Sequence, residues 1–263
     1  MYVDRFSVPV ATRAPTGQTN AYLVTGAGSE DAGPESLLVD PAGRTDSLDA
    51  AVREKPVAHV AVTHTHPDHV GAVADYAAET GATVWARRCR EGRFAEATGV
   101  EPDRTFREGD RVGPAVVLAT PGHATDHVAF ETPLGTLSGD VAVAEGSVVV
   151  GAPEGDVRAY LTSLRRLHAR DPTALFPGHG PVVDDPRATC ERLVAHRLDR
   201  EAKVLAAVRS GAADVDAVLD AAYDKDLSGV RDLARATVVA HLEKLSRAGR
   251  VRYDRGTGRV APA

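Results

Sequence analysis

Between Val62 and Gly71 the chain reads Val-Thr-His-Thr-His-Pro-Asp-His-Val-Gly, which sets four potential metal ligands, His64, His66, Asp68 and His69, within six residues. An extended chain sends residues i and i+2 to the same side, so His64 and His66 converge on one ion. Pro67 ends the extended run, and the turn that follows swings Asp68 and His69 toward a second position. One short loop thus serves two metals. A single histidine here would read as a packed strand-end side chain; the whole His-x-His-x-Asp-His constellation reads as a metal site. Thr120-Pro-Gly-His123 and Phe176-Pro-Gly-His179-Gly180 each place a histidine after a strand and a Pro-Gly turn, where an imidazole reaches across a sheet edge. Ser138-Gly-Asp140 adds a carboxylate in the same kind of position. His59, inside the strand before His64, reads as a packed side chain, and His168, His196 and His241 read as structural residues on helices.

The elements that must position these residues alternate short β-rich runs with amphipathic stretches over the first 180 or so residues, an α/β pattern. Strand-length apolar runs fall at 21–25, 37–39, 57–62, 83–85, 115–119 and 148–150, and helical patterns at 47–54, 70–80 and 156–169. In the last of these, Val157, Tyr160, Leu161, Leu164, Leu167 and His168 form one stripe, which should lie on a sheet. After Gly180 the chain turns Ala-, Arg- and Leu-rich with almost no strand signal. Val230, Leu233, Ala234, Val238, Leu242 and Leu245 make a helical stripe that stops at Ala248-Gly249, and 250–260 reads as a β-hairpin. Helices followed by a hairpin suggest a winged helix. The expected division is a catalytic domain at 1–185 and a helical, winged-helix-like domain at 186–263.

Composition bounds the function. With 263 residues, 43% hydrophobic and 26% charged, the chain is globular and holds one large domain or two unequal ones. No apolar run reaches the roughly 20 residues of a membrane span, and the start MYVDRFSVPV lacks the basic and apolar regions of a signal peptide. A cytoplasmic protein with no membrane contact is expected. Cys89 and Cys190, without a CxxC spacing, give no disulfide scaffold, zinc ribbon or redox motif. A net charge of −6 argues against a globally basic nucleic-acid surface. Locally, the tail 241–263 carries six basic residues (Lys244, Arg247, Arg250, Arg252, Arg255, Arg259) against two acidic ones.

Taken in order, His64-x-His66-x-Asp68-His69, Thr-Pro-Gly-His123, Ser-Gly-Asp140 and Pro-Gly-His179-Gly resemble the motifs of the metallo-β-lactamase superfamily. The resemblance implies an αββα sandwich with metals at one edge between two β-sheets. It implies that His64, His66 and His123 hold a first metal, that Asp68, His69 and His179 hold a second, and that Asp140 bridges them. Such ligands suit two zinc ions and also admit iron or manganese.

Departures prune the substrates. Antibiotic-hydrolysing members of the most familiar subclass carry cysteine where Asp140 stands and lack the second histidine after the motif aspartate, which argues against a β-lactamase. Flavo-diiron proteins carry glutamate at the position of His66. Glyoxalase II and persulfide dioxygenases share His-x-His-x-Asp-His but usually have glycine where Asp126 stands, and they remain alternatives. The best agreement is with the β-lactamase-like protein 2 group, metal-dependent hydrolases that include a single-strand-specific endoribonuclease. It runs through Thr19-Asn-Ala-Tyr-Leu-Val24, Thr120-Pro-Gly-His-Ala-Thr-Asp-His127, Leu137-Ser-Gly-Asp140, Phe176-Pro-Gly-His-Gly-Pro181 and His241-Leu-Glu-Lys-Leu-Ser-Arg-Ala-Gly-Arg-Val251, hence over nearly the whole chain. In that resemblance Asp40 and His127 stand behind the ligands or near the substrate; a turn-capping aspartate and a polar strand residue are equal readings of the two.

The implied chemistry is hydrolysis by a metal-bridging hydroxide, the ions lowering the pKa of bound water to about 7. Two divalent ions against Asp68, Asp140 and one hydroxide leave net positive charge, which favours an anionic substrate. Single-stranded RNA is the expected substrate, and a glyoxalase II-like thioester or other small anionic ester is the alternative. Asp68 and His127 are the catalytic candidates, His127 as an acid toward the leaving group. The C-terminal domain is either a nucleic-acid module or a lid that narrows the cleft. A third reading, a nucleic-acid-binding regulator with an inert site, is opposed by the complete ligand set. Metal occupancy should fall as pH drops through about 6.5, where histidines protonate.

Overall fold

The computed structural model describes residues 1–26, 35–224 and 226–263. The chain divides into two compact units, Met1–Thr120 with Asp126–Gly146 and Asp171–Pro186, and Pro121–Thr125 with Ser147–Arg170 and Arg187–Ala263.

In the first unit the described elements run β1 (Tyr2–Pro9), β2 (Gln18–Thr25), β3 (Ser36–Val39), α1 (Asp46–Glu54), β4 (His59–Ala61), α2 (Pro67–Val70), α3 (Val73–Thr80), β5 (Thr83–Arg87), α4 (Glu91–Thr98), β6 (Arg104–Phe106), β7 (Arg111–Val112), β8 (Ala115–Ala119), β9 (Val128–Thr132), β10 (Gly135–Gly139) and β11 (Leu175–Pro177). One sheet has the order β1-β2-β3-β4-β5-β6, and the second the order β11-β10-β9-β8-β7. The first is antiparallel through β3 and parallel from β3 to β6. The second is antiparallel except for β10 beside β11.

Strand periodicity divides the first sheet's side chains between two layers. Ala21, Leu23, Leu38, Val60, Val84 and Ala86 pack with Leu48 and Val52 of α1, Val73 and Tyr76 of α3 and Phe94 of α4. Tyr22, Val24, Leu37, Val39 and Ala61 point the other way, into a core shared with Val117, Val128, Phe130 and Leu137 of the second sheet. The central strands are therefore apolar on both faces, and each fully buried aliphatic chain contributes about 1.5–3 kcal/mol of transfer free energy. α1 starts because the Thr45 side chain accepts the Leu48 N–H, with Asp46 and Asp49 in its first turn and Arg53 in its last.

The helix expected at 70–80 is two helices. Ala72 gives its N–H to the Pro41 carbonyl at 2.8 Å, so the chain breaks between α2 and α3.

The second unit holds α5 (Val157–Arg170), most of α6 (Pro186–Arg209), α7 (Val215–Ala222), α8 (Arg231–Arg247) and the hairpin β12 (Val251–Tyr253) and β13 (Val260–Pro262). Val204, Val208, Val218, Leu219, Val238, Leu242, Leu245, Val251 and Val260 form its core. Apart from His168 the stripe of α5 is buried, and within the second unit α5 contacts α8. Residues 148–150 are not a strand. The Val148 carbonyl accepts from the Arg197 guanidinium and the Val149 carbonyl pairs with His123 Nδ1 at 2.6 Å, so side chains take the bonds a ladder would use.

Half of the basic tail is paired internally. Lys244 Nζ sits 2.5 Å from Glu201, Arg247 Nη1 2.8 Å from Asp156 and Arg255 Nε 2.9 Å from Glu243. Among the described residues, no helix is long and apolar enough to cross a membrane.

Candidate functional site

The ligand segment begins where β4 ends. β3 and β4 run parallel and deliver their last residues to one edge, Asp40 after β3 and 63–69 after β4. Asp40 is fully buried with φ 51, a left-handed conformation that costs a non-glycine residue about 1–2 kcal/mol. Its side chain offsets that cost. Oδ1 accepts the Thr63 N–H at 2.6 Å, and Oδ2 accepts the Thr63 hydroxyl at 2.8 Å and His69 Nδ1 at 3.0 Å.

Because the Thr63 hydroxyl donates to Asp40, its oxygen accepts from His64 Nδ1 at 3.0 Å. In the neutral rings this chain of bonds assigns the proton to Nδ1 in both His64 and His69 and leaves each Nε2 as the atom that takes up a second proton or an ion. His64 Nε2 lies 2.9 Å from His66 Nδ1, and the two rings stand 4.5 Å apart. His69 Nε2 is buried with no hydrogen bond among the described residues, 3.7 Å from Asp140 Oδ1.

His179 repeats the pattern. Its Nδ1 donates to the Gln18 carbonyl at 2.8 Å, while Nε2 lies 3.3 Å from Asp140 Oδ2 and 3.6 Å from Asp68 Oδ2. Asp68, in the single turn of α2, accepts the Thr12 hydroxyl at 2.5 Å. The ligand atoms of His64, His69 and Asp140 lie within 4.8 Å of one another, as do those of Asp68, His69 and His179.

Two glycines make this approach possible. Gly139 has φ 49, and a Cβ on it would stand 2.6 Å from Thr63 Oγ1 and 2.8 Å from His127 Nε2. A Cβ on Gly178 would stand 2.4 Å from Asp140 Oδ1 and 2.7 Å from His69 Cε1. The backbones of the Ser-Gly-Asp and Pro-Gly-His motifs are joined by Gly178 N–H to the Gly139 carbonyl at 3.0 Å.

Electrostatics follow from the carboxylates. Burial pulls the pKa of His69 down, but Asp40 and Asp140 override it and push it up to about 9. Burial likewise opposes protonation of His179, and Asp140 outweighs it, so the pKa is raised. A centre that holds protons this way is built for cations. The buried, unbonded His69 Nε2 among carboxylate oxygens fits a metal ion, which would replace those protons.

The remaining candidates are placed as follows. His123 lies in the second unit with Nδ1 on the Val149 carbonyl. His127 is fully buried, with Nε2 accepting the Asp140 N–H at 2.9 Å and Nδ1 2.8 Å from Thr120 Oγ1. His59 is half-buried and its Nδ1 accepts Trp85 Nε1–H at 3.2 Å. His168, read as a structural residue, pairs with Glu191 at 2.9 Å. Thr12 and Gln18 were not legible as site residues, because one is a loop hydroxyl and the other acts through a carbonyl that any residue supplies.

The family model described as Metallo-beta-lactamase superfamily matches residues 14–179. A beta-lactamase-like protein 2 homolog of Drosophila melanogaster is 30% identical over 261 residues, covering 90% of this chain and 85% of that protein. Thioesterase pkgB of Emericella nidulans is 30% identical over 197 residues, covering 72% of this chain and 53% of that protein. Among solved structures, a metallo-beta-lactamase family protein of Thermus thermophilus superposes with a TM-score of 0.77 at 25% identity, covering 99% of this chain and 98% of that one. The di-iron-bound form of TTHA1623 gives a TM-score of 0.55 at 33% identity, covering 72% of this chain and 98% of that one.

Proposed function

The chain belongs to the metallo-beta-lactamase superfamily and has its α/β fold, and on that footing we propose that it is a metal-dependent hydrolase of thioesters and related carboxylic esters. The observation that carries the metal reading is the shared arrangement of His64, His69 and His179, each with Nδ1 tied to the fold, in two ligand clusters that meet at His69. Histidines that ligate metals are held in this way. The thioester reading takes its support from the 30% identity to a thioesterase and from half of the tail cations being spoken for within the chain.

In this reading His64 and His66, with His123 from its motif, would hold one ion, and Asp68, His69 and His179 would hold the other, with Asp140 available to both. Zinc suits these ligands, and iron stands beside it because TTHA1623 binds two irons. When bound, such ions supply Lewis acidity and a lowered water pKa. The protein's own part is orientation. Thr12 holds the Asp68 carboxylate in place, and Asp68 would accept the proton of the attacking water. In this reading His127, expected as the acid, instead fixes the Asp140 backbone, since both of its ring nitrogens bond inside the fold.

A second reading, phosphodiester hydrolysis of single-stranded RNA, is favoured by Arg250, Arg252 and Arg259, which lie exposed on or beside the hairpin of a winged-helix-like domain. Metal-loaded protein assayed side by side on S-lactoylglutathione, an acyl-CoA, single-stranded RNA and bis(p-nitrophenyl) phosphate separates the two. The thioesters should give the highest kcat/KM. RNA cleavage exceeding both thioesters by orders of magnitude would overturn the proposal in favour of the second reading.

A further inference from the structure

Asp126 is the residue that sets this sequence apart from glyoxalase-like patterns, and its surroundings give it a task. It is buried, 3% exposed, just before β9. Oδ2 accepts both the backbone N–H of Thr65 at 3.1 Å and the Thr65 hydroxyl at 2.7 Å. The Thr65 oxygen in turn accepts Arg93 Nε at 2.6 Å, from α4, and that nitrogen lies 3.5 Å from Asp126 Oδ2. Thr65 stands between His64 and His66, so its side chain leaves the extended segment on the face opposite the two imidazoles. On the other side of His64, Thr63 is held by Asp40 in the same way, through N–H and hydroxyl together. Each threonine that flanks His64 is thus gripped by a buried aspartate, Asp40 after β3 of one sheet and Asp126 before β9 of the other.

Packing alone does not account for Asp126. Among the described residues its Oδ1 is buried with no hydrogen bond, and an unbonded buried carboxylate oxygen is costly. A neutral side chain would avoid that cost but would give up the charge that faces Arg93 across Thr65. We propose that Asp126 is a positioning residue for the metal centre: with Arg93 it clamps Thr65 from behind, and so holds the His64 and His66 imidazoles in the orientation that receives an ion. This rests on the reading of the cluster as a metal centre.

The test is made on full-length protein with Asp126→Asn, Thr65→Val and Thr65→Ser variants. Zinc affinity is measured by competition with a chromophoric chelator, ligand geometry by the visible spectrum of the cobalt-loaded forms, and the fold by melting of the metal-free proteins. Removing partners that orient metal ligands weakens binding by roughly 10- to 100-fold. One of the two zinc-binding steps should weaken by that factor in Asp126→Asn and Thr65→Val, with an altered cobalt spectrum and metal-free melting close to the parent. Thr65→Ser, which keeps the hydroxyl, should behave as the parent. If Asp126→Asn does not fold, Thr65→Val decides. Parental affinity and spectrum in folded Thr65→Val, or equal weakening of both steps together with lowered melting, overturns the inference. A parent protein that binds no zinc or cobalt would instead refute the metal centre itself, and the inference with it.

Discussion

Replacing Asp40 by asparagine keeps the shape of the side chain and inverts one of its hydrogen-bonding ends. The amide oxygen still accepts the Thr63 N–H, but the amide nitrogen now faces two donors, His69 Nδ1 at 3.0 Å and the Thr63 hydroxyl at 2.8 Å. His69 can satisfy the amide only by moving its proton to Nε2, which removes the lone pair that an ion needs. Losing a hydrogen bond to a charged group costs about 1.5–3 kcal/mol. At about 1.4 kcal/mol per factor of ten, ion affinity should fall roughly 10- to 150-fold. The same substitution removes the leading charge that keeps the His69 pKa at about 9, while burial, which lowers it, stays. Zinc competition titrations and an NMR pH titration of the metal-free variant read the two effects. Parental affinity, with His69 still titrating near its parental value, would refute the reasoning.

Loading zinc into metal-free protein at pH 8 should release protons, because His69 is held at about 9 and His179 is also raised. Affinity should therefore begin to fall well above the pH of about 6.5 expected from unperturbed histidines; calorimetric enthalpies that do not vary with the buffer's ionisation enthalpy would contradict this. Gly178→Ala places a methyl 2.4 Å from Asp140 Oδ1 and should cost about 1–3 kcal/mol of stability together with bound metal, unless elemental analysis and melting both match the parent. His241 is fully buried, and burial first, then Arg197, lowers its pKa against the pull of Glu201. The native state keeps it neutral while the unfolded chain takes up a proton, so stability should be lost as pH falls from about 6.5 toward the depressed native value. His241→Leu should lose less between pH 7.5 and 5 in melting experiments, and an equal loss would rule the residue out.

The candidate ligands were legible because histidine and aspartate at alternating positions are uncommon, and because Pro-Gly turns announce strand ends. The order of Asp68, Asp140 and His179 along the chain needed no knowledge of sheet pairing. Asp40 was undecidable, since an aspartate that caps a turn and one that anchors an imidazole are the same letter in the same place. The task of His127 is hidden for a related reason: whether its ring nitrogens face the substrate or the Asp140 backbone depends on the register of β9 against β10. β1 escaped notice because Tyr2–Pro9 is a half-exposed edge strand with mixed polarity. Val148 and Val150 are buried like strand residues, yet their segment is held by side chains.

The internal pairing of the tail changes what its cations can do in solution. A single-stranded polyanion loses affinity with salt at about 0.7 logarithmic units for each phosphate neutralised. Counting six cations from the sequence predicts a slope of about −4, whereas Arg250, Arg252 and Arg259 alone allow about −2. Raising the ionic strength cannot recruit the other three. The screening that would loosen Lys244, Arg247 and Arg255 from their carboxylates weakens, to the same degree, their attraction for any phosphate outside.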